Sequence, residues 1–224
     1  RSMRRQTLLI TLLALVTVFI LWNIRELEVL VYPLRLFVTY VHEASHALAA
    51  LVTGGSVSGF TVSANGSGLA VTAGGSRAFI LPAGYLGAAL FGSMLFFLTN
   101  RIPRWVQGLS LFIGGFMIVF TVAFARPDET GSFTALFIGL GFGAVMLLLG
   151  WKAPRIVNQF ILNTLAVMTS LNAVLDVWMI VGQSDASRGQ VRNDAAAFAT
   201  EFTPALPTSV VAFIWSAAAV AMLG

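Results

Sequence analysis

The sequence predicts an all-α polytopic membrane protein of about seven transmembrane helices, at roughly 20 residues per span, with one small membrane-associated β-hairpin. Three observations carry this. Hydrophobic residues make up 58% of the 224 and charged residues only 10%, with a mean hydropathy of +0.88. A soluble domain carries roughly 25% charged residues, so this chain has more apolar surface than a water-soluble core can hide. Apolar runs of spanning length recur along the whole chain, separated by short polar breaks that hold most of the arginines. One interval, residues 56–75, departs from that pattern, with two short alternating runs around a glycine-containing loop.

Taken in order, Arg1, Ser2 and Met3 read as the remnant of a tag. Residues 7–22 follow Arg4 and Arg5 and form an apolar run with no small-residue cleavage signal after it, as a retained signal anchor does. Pro33 suits the first turn of a second helix over about 34–53, which Gly54 and Gly55 stop. The hairpin comes next, with strands near 57–62 and 69–72. Further apolar runs lie at 79–99, 105–125, 133–151, 156–181 and 207–223. The break at 183–206 is expected to hold an interfacial helix starting near Asn193 or Asp194. All 224 residues thus read as a single membrane-embedded domain. Gly84, Ala88 and Gly92, like Ala135, Gly139 and Gly143, recur every fourth residue, a spacing that close helix packing explains. The 13 lysines and arginines divide almost evenly between the two sides and favour a cytoplasmic N-terminus by one residue.

The chemistry concentrates in the second span. Both histidines of the chain, His42 and His46, lie there with Glu43 between them. Four residues apart on a helix, they share one face, about 6 Å apart along the axis, and can hold one zinc ion. Glu43 then stands where it can take a proton from water activated by the metal. With the helix at 34–53, each histidine is about 12 Å from the nearer end, close to the bilayer midplane. No cysteine and no third histidine exist, so the third ligand of a catalytic zinc site has to be a carboxylate. Among the acids only Glu43 and Asp176 fall inside apolar runs, where an unpaired carboxylate is costly, so Asp176 is the candidate ligand. The second and sixth spans cross in the same direction, and Asp176 falls in the half of the bilayer that holds the motif. Asn172, one turn before it, is a candidate to bind a substrate carbonyl, and Asn163, Thr169 and Ser170 could line a water path.

These features together resemble the site-2 protease family, and in particular its bacterial M50B-like branch of intramembrane metallopeptidases. The resemblance rests on HEASH in a membrane helix, the hairpin directly after it, and the glycine-rich PAGYLGAALFGS (residues 82–93). A distal Asn-x-x-x-Asp and the late segment NDAAAFATEFTPALP, with Trp215 beyond, complete it. It covers the chain from about Pro33 onward. It implies one catalytic Zn2+ held by His42, His46 and Asp176, with Glu43 as the base. It also implies a bacterial cytoplasmic membrane location and a membrane-protein substrate cut in regulated intramembrane proteolysis. Here the aspartate stands in Leu175-Asp176-Val177 and Asn172 lacks a following proline, both departures from the family pattern.

A helical transmembrane substrate has its carbonyls tied up in backbone hydrogen bonds, so the scissile segment must unwind. The hairpin either receives that segment as an added strand or plugs the entrance. Two other classes compete. A transporter or metal permease predicts paired broken helices in repeated halves, and no such repeat is present; a catalytically silent membrane binding module predicts a damaged motif, and this one is intact. The net charge of +4 comes without a basic run on a soluble segment, so nucleic acid is not an expected partner.

Overall fold

A computed structural model describes residues 2–181 and 193–222. In chain order the elements are α1 (Ser2–Asn23), α2 (Glu28–Val52), β1 (Ser56–Val62), β2 (Gly68–Ala73), α3 (Arg77–Arg101), α4 (Val106–Phe124), α5 (Thr134–Lys152), α6 (Arg155–Val181), α7 (Asp194–Phe202) and α8 (Thr208–Ala221). Single 3-10 turns at Arg25–Leu27 and Pro103–Trp105 lead into α2 and α4. The helical membrane class expected from composition is what the chain adopts.

Among the described residues five helices are long and apolar enough to cross a membrane: α1, α3, α4, α5 and α6. The other two expected spans fall outside that set for physical reasons. α2 has 25 residues but carries Glu28, Arg35, His42, Glu43 and His46. α8 has 14 residues, about 21 Å of rise against a hydrocarbon core near 30 Å. Large apolar side chains on the outer faces, such as Phe137, Trp151, Val119 and Phe112, are exposed, as lipid-facing positions are.

α6 is the hub. Two-thirds of its apolar window (67%) is buried, against 17% for α1. α3 lies along it, and a Cβ added at Gly92 would collide with Ser170, which makes the small residue the condition for this approach. At the far end of the same pair, Asn100 and Asn163 exchange side-chain hydrogen bonds of 2.8 and 3.2 Å, and the Thr11 hydroxyl joins them at 2.9 Å, fastening α1 to α3 and α6. Asn163 is thereby committed to packing, and Thr169 donates to the Leu165 carbonyl within its own helix.

The hairpin is antiparallel, with a bulge between Val57 and Gly59. Its turn is closed by Ser63 N–H to Ser67 O at 2.8 Å and by Asn65 Oδ1, which accepts from Ser67 N–H; Gly66 sits at φ +90°, where a side chain would be strained. Phe60 of β1 is wholly buried. Its ring meets Tyr40 of α2 edge-on at 5.1 Å and stacks on Phe120 of α4 at 5.6 Å. Its carbonyl accepts from Arg126 N–H at 2.9 Å. With the equally buried Val62, Phe60 packs the hairpin against the bundle, and Tyr32 and Thr39 of α2 donate to the Ala64 and Gly66 carbonyls of the turn.

Two expectations about α2 change. The helix begins six residues before 34, so Pro33 lies inside it rather than in its first turn. The 3-10 turn at Arg25–Leu27 feeds straight into the helix, and helical geometry is already established when proline is reached. As a result His46 is about 9 Å from the C-terminal end at Val52 and His42 about 21 Å from the start. His42 is about 15 Å from that same C-terminal end, so the motif runs from just past the middle of the helix toward the hairpin.

Phe60→Ala is expected to lower stability by about 3 kcal/mol, the range for removing a buried phenylalanine, and to loosen the hairpin. Thermal unfolding in detergent would read the first, and protease sensitivity of residues 56–73 the second.

Candidate metal centre and cavity

The amphipathic spacing of α2 puts His42 and His46 one turn apart, with Nε2 atoms 3.1 Å from each other. The rings stand edge to face, with centroids 4.8 Å apart. His46 Nδ1 lies 2.6 Å from the carbonyl of Ile80 at the start of α3. A carbonyl only accepts, so Nδ1 carries a proton and Nε2 is the nitrogen turned to the centre, free to serve as a ligand once it holds no proton of its own.

The acid that meets both rings is Asp194. Its Oδ2 is 3.2 Å from each Nε2. Asp194 opens α7, where Asn193 caps the helix by accepting from Ala196 N–H at 2.7 Å. α7 is held down by a cluster of Leu81, Val177, Ile180, Ala195, Ala199 and Trp215, drawn from α3, α6, α7 and α8. At the other end of α7, Glu201 accepts from Arg77 Nε at 2.7 and 3.0 Å. Burial would raise the Asp194 carboxyl, but contacts with His42 and His46 outweigh it and hold the group below the usual carboxylate range.

Sequence reasoning nominated Asp176 for this place and left Asp194 in an interfacial helix. The structure brings His42, His46 and Asp194 together, with ligand atoms all within 4.8 Å of one another. Asp176 lines the same cavity and its charge reaches His42, but it is not part of that trio. The restriction to apolar runs is what missed Asp194: a helix outside those runs can fold back onto the bundle. Its signals in the sequence were the Asn-Asp pair at a helix start and its place at the head of the late segment that carries the family resemblance. Asn172 is buried and donates to the Met168 carbonyl at 2.9 Å. It is not among the described residues lining the cavity, so its amide serves its own helix.

The arrangement suits a cation. Two imidazole nitrogens and a carboxylate oxygen, with edges of 3.1 and 3.2 Å, face one point. Tetrahedral bonds of 2.0–2.1 Å space ligands by about 3.3 Å. A Cβ built on Gly84 of α3 would collide with Nε2 of both histidines, so the place in front of the rings is kept clear by the absence of a side chain. Gly84 belongs to the four-residue repeat that sequence reasoning assigned to packing alone. Periodicity could not say that one of its members faces the histidines.

Glu43 is 6% exposed and points to the hairpin. A Cβ on Gly68 would collide with its carboxylate, and the Ala70 N–H acts on that carboxylate as a hydrogen-bond donor. Residues 66–70 therefore roof the glutamate. The cavity has a volume of about 1430 Å³ and is walled by α2, the hairpin, α3, α6 and α7. Asp128 and Glu129 form part of its rim. Hydrogen bonds from the hydroxyls of Thr130 and Ser63 and from the Ser132 backbone hold Asp128 down to about 2, so this rim is anionic near neutral pH.

A family model described as Peptidase M50B-like matches residues 10–224. Comparison with curated proteins and with solved structures gives no match.

Gly84→Ala is expected to cut metal occupancy by about tenfold or more while leaving the helical content intact, because the methyl group would fill the space in front of both Nε2 atoms. Elemental analysis of purified protein, with circular dichroism alongside, checks this. Unchanged occupancy would show that the ion sits elsewhere.

Proposed function

From the premise that this chain belongs to the Peptidase M50B-like family, we propose that it is an intramembrane zinc endopeptidase. It hydrolyses peptide bonds in or near transmembrane segments of membrane proteins. The observation that carries the reading is the convergence of His42, His46 and Asp194 beside a buried Glu43, in a cavity among apolar helices.

His42, His46 and Asp194 would hold the zinc, and Asp176 supplies a second carboxylate in the same cavity. When bound, zinc acts as a Lewis acid that polarises a carbonyl and makes water acidic enough to attack near neutral pH. The chain's own part is positioning and proton transfer. Ile80 fixes the His46 tautomer. Glu43 takes a proton from the attacking water and returns it to the leaving amine nitrogen. The roof formed by Gly68 and Ala70 keeps bulk water from that carboxylate. Among the described residues β2 pairs only with β1, which leaves it an unpaired edge. An unwound substrate segment could add there as a strand, which suits a bond that must leave its helix before it can be cut.

Glu43→Gln keeps every proposed ligand and removes the base. The purified variant, reconstituted in vesicles with a membrane-spanning peptide, is expected to retain one zinc per chain. Its cleavage should fall by at least about 100-fold, the usual range for loss of a general base. Undiminished cleavage would overturn the proposal, and zinc flux across the vesicles in place of cleavage would support transport.

A further inference from the structure

Tyr85 follows Gly84, so its backbone is fixed beside the paired imidazoles. Its ring meets His42 edge-on, with centroids 4.5 Å apart and planes at 82°. Trp215 of α8 packs on it at 6.3 Å. The side chain lines the cavity, and the charges of Asp194, Asp176 and Glu43 all act on its phenol. The side chain thus belongs to the cavity that the three acids also line.

The chain has three tyrosines. Tyr32 donates to the Ala64 carbonyl at 2.7 Å, and Tyr40 pairs with the Thr121 hydroxyl at 2.8 Å. Tyr85 has no hydrogen-bond partner among the described residues. A partly buried phenol normally finds one. Here the ring is held on both counts, by His42 and by Trp215, while the O–H is left over. The acids around it serve as acceptors when ionised, not as donors. Tyr85 is the neutral donor whose ring the structure sets directly against His42.

We propose that Tyr85 is a further catalytic residue, whose O–H donates a hydrogen bond to the oxyanion formed when the scissile carbonyl is attacked. This rests on the metallopeptidase reading above. The phenol keeps its proton throughout: the electron pair of the carbonyl moves to its oxygen, the hydrogen bond to that oxygen shortens, and collapse of the adduct expels the amine that Glu43 protonates. Donors fixed in advance at such an oxygen act on the transition state more than on the bound substrate.

Tyr85→Phe keeps the ring and its packing and removes only the hydroxyl. The test uses the full chain in lipid vesicles, a fluorogenic apolar peptide that spans them, and a phosphinic analogue with a tetrahedral phosphorus at the scissile position. The variant is expected to hold as much zinc as the parent and to keep its KM within about twofold. Its kcat should fall by about 100-fold, and its affinity for the phosphinic analogue should fall with it. Unchanged kcat and unchanged affinity for the analogue would overturn the assignment. A rise in KM alone would mark a ground-state contact, and loss of zinc would mark a support for His42; each also overturns it. If the zinc-loaded parent neither cleaves the peptide nor binds the analogue, the peptidase reading fails first and this assignment falls with it. That case is told apart because the defect is already present without the substitution.

Discussion

Two imidazole nitrogens 3.1 Å apart, each 3.2 Å from the same carboxylate oxygen, repel one another unless a proton or a cation lies among them. Among apolar helices the repulsion is poorly screened, because the effective dielectric is low. Holding the rings there is the constraint that the surrounding structure meets. The Ile80 carbonyl orients one ring, Tyr85 braces the other, and Gly84 leaves room in front of both. All three come from one turn and a half of α3, which is why the packing of α3 against α2 and α6 matters more to the site than any loop.

The carboxylate arrives differently. Asp194 is carried by a nine-residue helix that spans nothing and is held by contacts at both ends. Its N-terminus is fixed by the Asn193 cap, its flank by the apolar cluster around Trp215, and its C-terminal turn by Glu201 on Arg77. The Arg77–Glu201 pair is about half exposed on the arginine side, so the apolar cluster contributes more than the ion pair does. A cation bound by all three ligands shares its binding free energy with the docking of α7, since the third ligand reaches the rings only when that helix is seated.

The hairpin and the glutamate form a second coupled unit. Phe60 anchors β1 to α2 and α4, and this places Gly68 and Ala70 over Glu43. A residue with any side chain at 68 would push the strand away from the carboxylate. The same two strands thus wall the cavity, cover the base and present an edge to whatever enters. Phe60 and Val62, both fully buried, hold one strand to the bundle, and Tyr32 and Thr39 of α2 hold the turn by hydrogen bonds to the Ala64 and Gly66 carbonyls.

The sequence by itself determined the helical membrane class, the hairpin after the motif, the start of α7 near Asn193, and the placing of both histidines and Glu43 on one helix. Each follows from local rules: hydropathy over about 20 residues, alternation across a glycine turn, capping chemistry, and the 3.6-residue period. Only the tertiary structure decided which acid completes the trio, which member of a glycine repeat faces the rings, and that Tyr85 rather than Asn172 lines the cavity. Asp194 lies 148 residues from His46 along the chain, and no periodicity reaches that far. Which surfaces meet depends on the summed packing of α3, α6, α7 and α8, and that sum is a property of the folded bundle, not of any segment within it.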